Sequence, residues 1–480
     1  MSRGAWHCRV AAGLLVASVL GGCVIGDDYT RPALDVPDKF RYEDLEARDV
    51  ANTRWWQQFE DPVLDELIDS ALANNLDVRI AAARVEEFYG ALGVTRSGLF
   101  PQVGADFVAG RELIPPSTSA SDRFQADVFA AWELDVFGRL RRLTEASRAD
   151  LLASEEGRRF AVLSLISAVA TGYIALRTID SQVDIARRTL QSRADALTIF
   201  EARHRRGAIS ELELSQQRSE YTSALATVPR LELQQAQTEN ALAVLIGRNP
   251  GPIARAKTIE ELALPTVPAG LPSEILERRP DVRQAELNLV AANARIGAAK
   301  ALYFPSISLT GLLGSASNAI DDLFTGPAEL WSYAGTVTAP VFTGGNIGGQ
   351  ITIAEARQQQ ALFAYRQAIQ SAFQEVDDAL VAGSKSREEL AAQTQGLEAL
   401  RTYTRLAHMR YDNGYSSYLE VLDAERALFS AELDYARVRS DTYFALIDLY
   451  KAMGGGWVVE AAAAAPQPRV SLTTDPPVFP

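Results

Sequence analysis

Thiols and imidazoles are scarce in this chain. Cys8 and Cys23 are its only cysteines, and it has three histidines. Metal centres need several such ligands brought together. His204 and His408 each stand alone a few residues before a glycine. No metal and no cofactor is expected. Positive charge is also short: 47 Lys and Arg against 61 Asp and Glu leave a formal net charge of −14. A nucleic-acid partner demands a basic footprint, so that class is excluded. Beyond the N-terminus no run approaches 18 apolar residues, so no membrane-spanning helix is expected. A chain without one crosses a bilayer only with strands. The glycine-rich GGNIGG (344–349) lacks the Lys-Ser/Thr of a phosphate loop and reads as a strand-to-helix turn. Asp377 and Asp378 read as a solvated helix face. No constellation for catalysis emerges, so the chain is not expected to be an enzyme. Proline is missing between Pro116 and Pro229, which leaves room for an unusually long helix.

The N-terminus has the three parts of an export signal. Arg3 and Arg9 supply positive charge, AAGLLVASVL (11–20) is an apolar segment, and LGGC follows. This pattern resembles a bacterial lipoprotein signal, in which residues 1–22 are removed and Cys23 carries lipid such as palmitate. Cleavage there removes Cys8 and leaves one acylated cysteine. Residue 24 is Val rather than Asp. In lipoproteins of that kind Asp at this position means retention at the inner membrane, so Val24 points to the outer membrane. Residues 23–62 read as a lipid-anchored linker containing WWQQF.

The folded body says the same thing twice. DVRIAAARVEEFYGALGVTRSGLFP (77–101) slides onto DVRQAELNLVAANARIGAAKALYFP (281–305) at an offset of 204. Asp77, Val78, Arg79, Ala81, Gly93, Phe100 and Pro101 then fall on identical residues. GAISELEL (207–214) matches GYSSYLEV (414–421) at an offset of 207, as Gly247 matches Gly454. The drift implies a short insertion in the second long helix. Repeat 1 covers 63–270 and repeat 2 covers 271–455. Residues 456–480, rich in Ala and Pro, read as a disordered tail.

Each repeat reads as helix, β-hairpin, very long helix, tight turn, helix. In the first hairpin Phe124, Ala126, Val128, Ala130 and Trp132 alternate with polar residues at a period of two. From Val162 an imperfect heptad seam runs through Val169, Leu176, Val183, Leu190, Leu197 and His204, with a second row three further on in each heptad: Leu165, Gly172, Ile179, Ala186, Arg193 and Phe200. A helix over 144–205 would be about 93 Å long. Gly207 and Gly414 are natural helix stops, and Ser210 and Ser417 natural caps for the next helix. Pro229 should kink the last helix of repeat 1, over residues 210–246, roughly halfway. The two shorter helices stack end to end beside the long one. Two repeats therefore make four helical rods and four strands. Four strands cannot close a barrel, which takes about eight. Either the hairpins stay out of the membrane, or several chains share one barrel.

The motifs LPSEILERRPDVRQAE (271–286), WELDVFGRLRR (132–142) and GYSSYLEVLDAER (414–426) resemble those of TolC-like outer-membrane efflux channels. The branch is that of lipoproteins serving resistance-nodulation-division (RND) pumps, the NodT type. The resemblance covers Cys23 to about Gly454. It implies a mainly α fold with a small β part: a long coiled-coil helical barrel, and a twelve-stranded β-barrel completed by homotrimerisation with four strands per chain. It also implies a Gram-negative outer membrane, a periplasmic adaptor (membrane fusion) protein, an inner-membrane RND pump, and passive export of drugs or other small toxic compounds. Docking of the adaptor is expected at the tips, through Gly207, Ser210, Leu212, Gly414, Ser417 and Leu419. The resemblance further implies aspartates at a periplasmic gate, carried here onto Asp412 with Arg410 and Arg405. Two other readings are a channel for type I protein secretion and a pore-free periplasmic coiled-coil scaffold. The lipid signal counts against the first, and the amphipathic hairpins against the second.

Overall fold

The computed structural model describes residues 24–34, 36–37, 39–40, 54–113, 118–264, 277–455 and 458–471. Repeat 1 contains α1 (Pro62–Asn74), α2 (Leu76–Ser97), β1 (Gln102–Glu112), β2 (Ser121–Leu134), α3 (Arg139–Arg205) and α4 (Glu211–Leu245). Repeat 2 contains α5 (Pro280–Ala301), β3 (Ser306–Ser317), β4 (Glu329–Thr338), α6 (Asn346–Asp412) and α7 (Tyr418–Ala452). A last helix, α8, spans Val458–Ala464.

Both long helices have 67 residues, which is about 100 Å each. Their final partners both have 35 residues, and α2 and α5 both have 22. The three extra residues of repeat 2 therefore do not lie in the second long helix, as the sequence offset suggested. They lie between Ala301 and Asn346, in the hairpin segment. A helix resists odd insertions because three residues turn its buried stripe by most of a turn, whereas a loop absorbs them.

α2 and α4 both pack on α3, and α5 and α7 both pack on α6. α3 also packs on α5 and α7, which joins the repeats side by side. The seam residues Val162, Val169, Leu176 and Val183 are buried, as are Leu165, Ala186 and Phe200 of its second row. One stretch of α3 proves long and apolar enough, by composition, to cross a bilayer. In the fold it is the inner side of a collar around the rod's middle. Tyr173, Ile174 and Leu176 are covered there by α1, α4, α7 and the Trp55–Phe59 turn.

Two expectations fail at this collar. WWQQF is not linker: Trp55, Trp56 and Phe59 are buried, and Trp55 stacks on Tyr450 at 5.1 Å. The start of the tail is not disordered either. Val458, Ala461, Ala462 and Ala465 are buried on the collar. Arg158 donates from Nη1 to the Ala462 carbonyl at 3.0 Å and pairs with Glu155 at 2.9 Å. Alanine runs are good helix formers, and four small apolar side chains on one face suffice to dock them. α4 runs on through Pro229, whose ring lies on the exposed side.

A strap, residues 24–34, lies along one face of α5. Arg142 reaches across it, donating to the carbonyls of Ile25 at 3.2 Å and Gly26 at 2.6 Å. Asn293 donates to the Asp27 carbonyl at 3.0 Å, and Arg31 donates to Glu286 at 2.6 Å. Cys23 lies outside the described residues.

Candidate functional site

The four strands form one antiparallel sheet in the order β1-β2-β3-β4. Its register sorts the side chains by face. Ala105 pairs with Val128, Val128 with Leu313, and Leu313 with Trp331. Val103, Phe107, Leu309, Tyr333 and Val337 belong to the same face, and all of these large residues are exposed. The opposite face carries Asp106, Gln125, Asp127, Glu133, Ser308, Thr310 and Thr336. Strands of 10–14 residues are long enough to span a hydrocarbon core. Among the described residues β1 and β4 are open edges.

The β2–α3 junction holds this sheet on the rod. Asp135 accepts the backbone N–H groups of Leu140 and Arg141, both at 2.9 Å, which caps α3. Gly138 turns with φ +77°, and a Cβ there would come within 2.9 Å of Val24. On the second junction Gly344 and Gly345 both have positive φ just before α6, so GGNIGG is the strand-to-helix turn its composition suggests.

The far end of the rod carries the two tips. At the first, Gly207 has φ +70°. Ser210 forms a full capping box with Glu213: its Oγ accepts the Glu213 N–H at 3.2 Å, and its own N–H donates to the Glu213 carboxylate at 2.8 Å. At the second, Gly414 has φ +77°. Ser417 occupies the cap position, but its side chain makes no cap bond, which departs from the sequence reading. Leu212 is 68% exposed and Leu419 59%. Tyr415, Met409 and Ile199 are exposed near them.

Behind this surface the tips pack on each other. Phe200, Leu214, Ala407, Tyr418, Val421 and Leu422 form one cluster. Tyr418 donates to Gln217 at 2.7 Å and lies 4.4 Å from the Phe200 ring. Burial and the nearby Glu425 push the Tyr418 hydroxyl up.

The charged residues assigned to the gate are exposed. Arg410 meets Glu420 at 3.5 Å, rather than Asp412 of its own chain. Among the described residues Arg405 reaches only the Met409 sulfur, at 3.9 Å. Asp412 ends α6 with its side chain in solvent. His204 pairs with Glu211 at 3.1 Å and His408 with Glu425 at 2.9 Å. No group of metal-ligating side chains occurs among the described residues.

Sequence reasoning missed a buried network just above the tips. Glu220 of α4 is held between Arg193 of α3, at 3.2 Å, and Arg426 of α7. Arg193 also lies over the Phe429 ring at 5.3 Å. The available signal was Arg193 itself, a charge at an apolar seam position.

A rod of paired helices, capped by a sheet with one apolar face and two open edges, is the plan of a channel subunit that crosses an outer membrane with strands. Residues 67–248 and 271–455 match the outer membrane efflux protein family, one match per repeat, and the chain belongs to it. It is 36% identical over 455 residues to the solvent efflux pump outer membrane protein SrpC of Pseudomonas putida, covering 92% of this chain and 97% of that one. It is 37% identical over 454 residues to the cation efflux system protein CusC of Escherichia coli, with the same coverages. The fold superposes on the open state of the Neisseria gonorrhoeae MtrE outer membrane channel with a TM-score of 0.83 at 33% identity, over 91% of this chain and 99% of that one. The protein is an outer-membrane efflux channel of Gram-negative type, not an enzyme.

Proposed function

We propose that three copies of this chain close a twelve-stranded barrel and form the passive exit duct of a tripartite RND-type efflux system. The observation that carries this reading is the sheet: its apolar face is exposed while both edges are unpaired. Lipid covers such a face but does not satisfy open edges. Pairing β4 of one copy with β1 of the next removes every edge. The polar face then lines a wet lumen, and the long helices continue it into the periplasm. A periplasmic adaptor docks on the apolar tips, and an inner-membrane RND pump supplies the energy and most of the selectivity. The cargo is small toxic molecules, a class that includes the solvents and cations named for the relatives. Lipid on Cys23 anchors the strap at the membrane; incorporation of labelled palmitate into the mature chain tests the anchor. Light scattering of the detergent-solubilised protein should give a protein mass of three chains. A monomeric mass for protein extracted intact from outer membrane would overturn the shared barrel.

A further inference from the structure

We infer that the duct carries a binding station for amphipathic organic anions on its lumenal wall, just below the barrel, with Arg357 as the ligand for the anionic head. The inference rests on the duct reading above and adds a substrate class to it.

A cavity of about 540 Å³ lies where α3, α5 and α6 meet the sheet. Volumes of this size suit small organic molecules. It is built within one chain, so each copy brings its own. Two observations place it on the wet side. The strap occupies the face of α5 that carries Glu286, Asn293 and Gly297. Arg295 and Leu302, which line the cavity, lie on the opposite face at 100° per residue. The strap leads back to Cys23 and the membrane anchor, so the cavity faces away from the anchored surface. Arg139, also in the lining, donates to Glu133 at 2.8 Å. Glu133 shares the polar face of β2 with Asp127, whereas Trp132 belongs to the apolar one.

The lining selects by charge. Leu143, Leu302 and Ile353 supply an apolar floor, and Ile353 is half exposed although large and apolar. Arg139 is neutralised by Glu133 and Arg295 by Asp150. Arg357, one turn after Ile353, is exposed, and no ion pair to it occurs among the described residues. One uncompensated positive charge beside an apolar floor matches an apolar body with a single sulfonate, sulfate or carboxylate. It repels the equivalent cation. Such a station must hold its cargo weakly, because conduction requires release.

The test is current through the purified protein in a planar lipid bilayer. 1-Octanesulfonate or octyltrimethylammonium is added on the barrel side, from which the cavity is reached without passing the tips. Octanesulfonate should interrupt the current in a concentration-dependent manner, and the ammonium should not. Arg357→Gln should weaken the block about tenfold, the loss of one charge-assisted hydrogen bond, while Arg357→Lys retains most of it. Equal block by both probes, or unchanged block in Arg357→Gln, overturns the station and leaves the duct standing. Absence of any open-channel current, in the wild type and in Asp412→Ala alike, overturns the duct, and the station with it.

Discussion

Gly247 and Gly454 close the two repeats in the same way, and they differ in how tightly. Each has positive φ, at +72° and +85°. A Cβ on Gly247 would fall 2.5 Å from the carbonyl oxygen of Asn74, where α1 ends. On Gly454 the nearest atom is the Arg278 carbonyl oxygen at 3.0 Å. Left-handed backbone alone costs a residue with a Cβ about 1–2 kcal/mol. Gly247→Ala adds a backbone clash to that and should lower the melting temperature of the helical signal more than Gly454→Ala does. Equal shifts measured by circular dichroism would contradict this ranking. At the proposed gate the Asp412 side chain lies in solvent, and Arg410 is more than half exposed beside Glu420, so both remain within reach of neighbouring copies. Arg410→Ala and Asp412→Ala should each raise the resting conductance or the open time in a planar bilayer. Wild-type behaviour in both variants would place the constriction elsewhere. Exposed pairs contribute only about 0–1 kcal/mol singly, so the effect depends on three copies acting together.

Among the elements, α4 carries an avoidable defect. Pro229 lies inside a 35-residue helix on its exposed side, where it removes a backbone donor and crowds the preceding turn. Pro229→Ala should therefore stabilise the protein by about 1–3 kcal/mol, read as a higher melting temperature of the assembled protein. A fall instead would show that the local bend is needed for packing on α3. The elements were largely legible in the sequence. Period-two alternation marked the hairpins, heptads marked α3, and Gly207, Gly247, Gly414 and Gly454 marked the ends. What escaped had a physical reason each time. WWQQF follows a stretch with no helical or strand period, and local composition does not reveal that Tyr450, nearly four hundred residues later, covers it. The alanine run of α8 looked like a tail because its partner is the Arg158 corner of α3. Glu220 and Arg426 are ordinary charges in a helical pattern; only the meeting of α4 with α7 buries the first between two arginines. The lumenal cavity is a property of three helices at once, so no single stretch announces it.

For the whole molecule, assembly and docking are separable. The strand edges and the sides of the rod build the proposed trimer, while Leu212 and Leu419 project from its far end. Exposed apolar side chains at the end of a rod are buried only by a partner. Leu212→Asp together with Leu419→Asp should abolish efflux, measured as lost tolerance of toxic compounds, while leaving the mass of the assembled channel unchanged. Unaltered tolerance would move the docking surface elsewhere.

The equality of the two 67-residue helices has a consequence for symmetry. Staves of one length, two per chain, set both tips of a chain at one depth, so the proposed threefold assembly presents a rim of six. The two tips of each chain differ in kind: one is locked by the Ser210–Glu213 box, and the other lacks that lock and presents Tyr415. A collar of six copies of one adaptor chain would fit this rim by number. Its subunits would still sit in two inequivalent seats, so one seat can be weakened by substitution at a single tip while its neighbour stays intact.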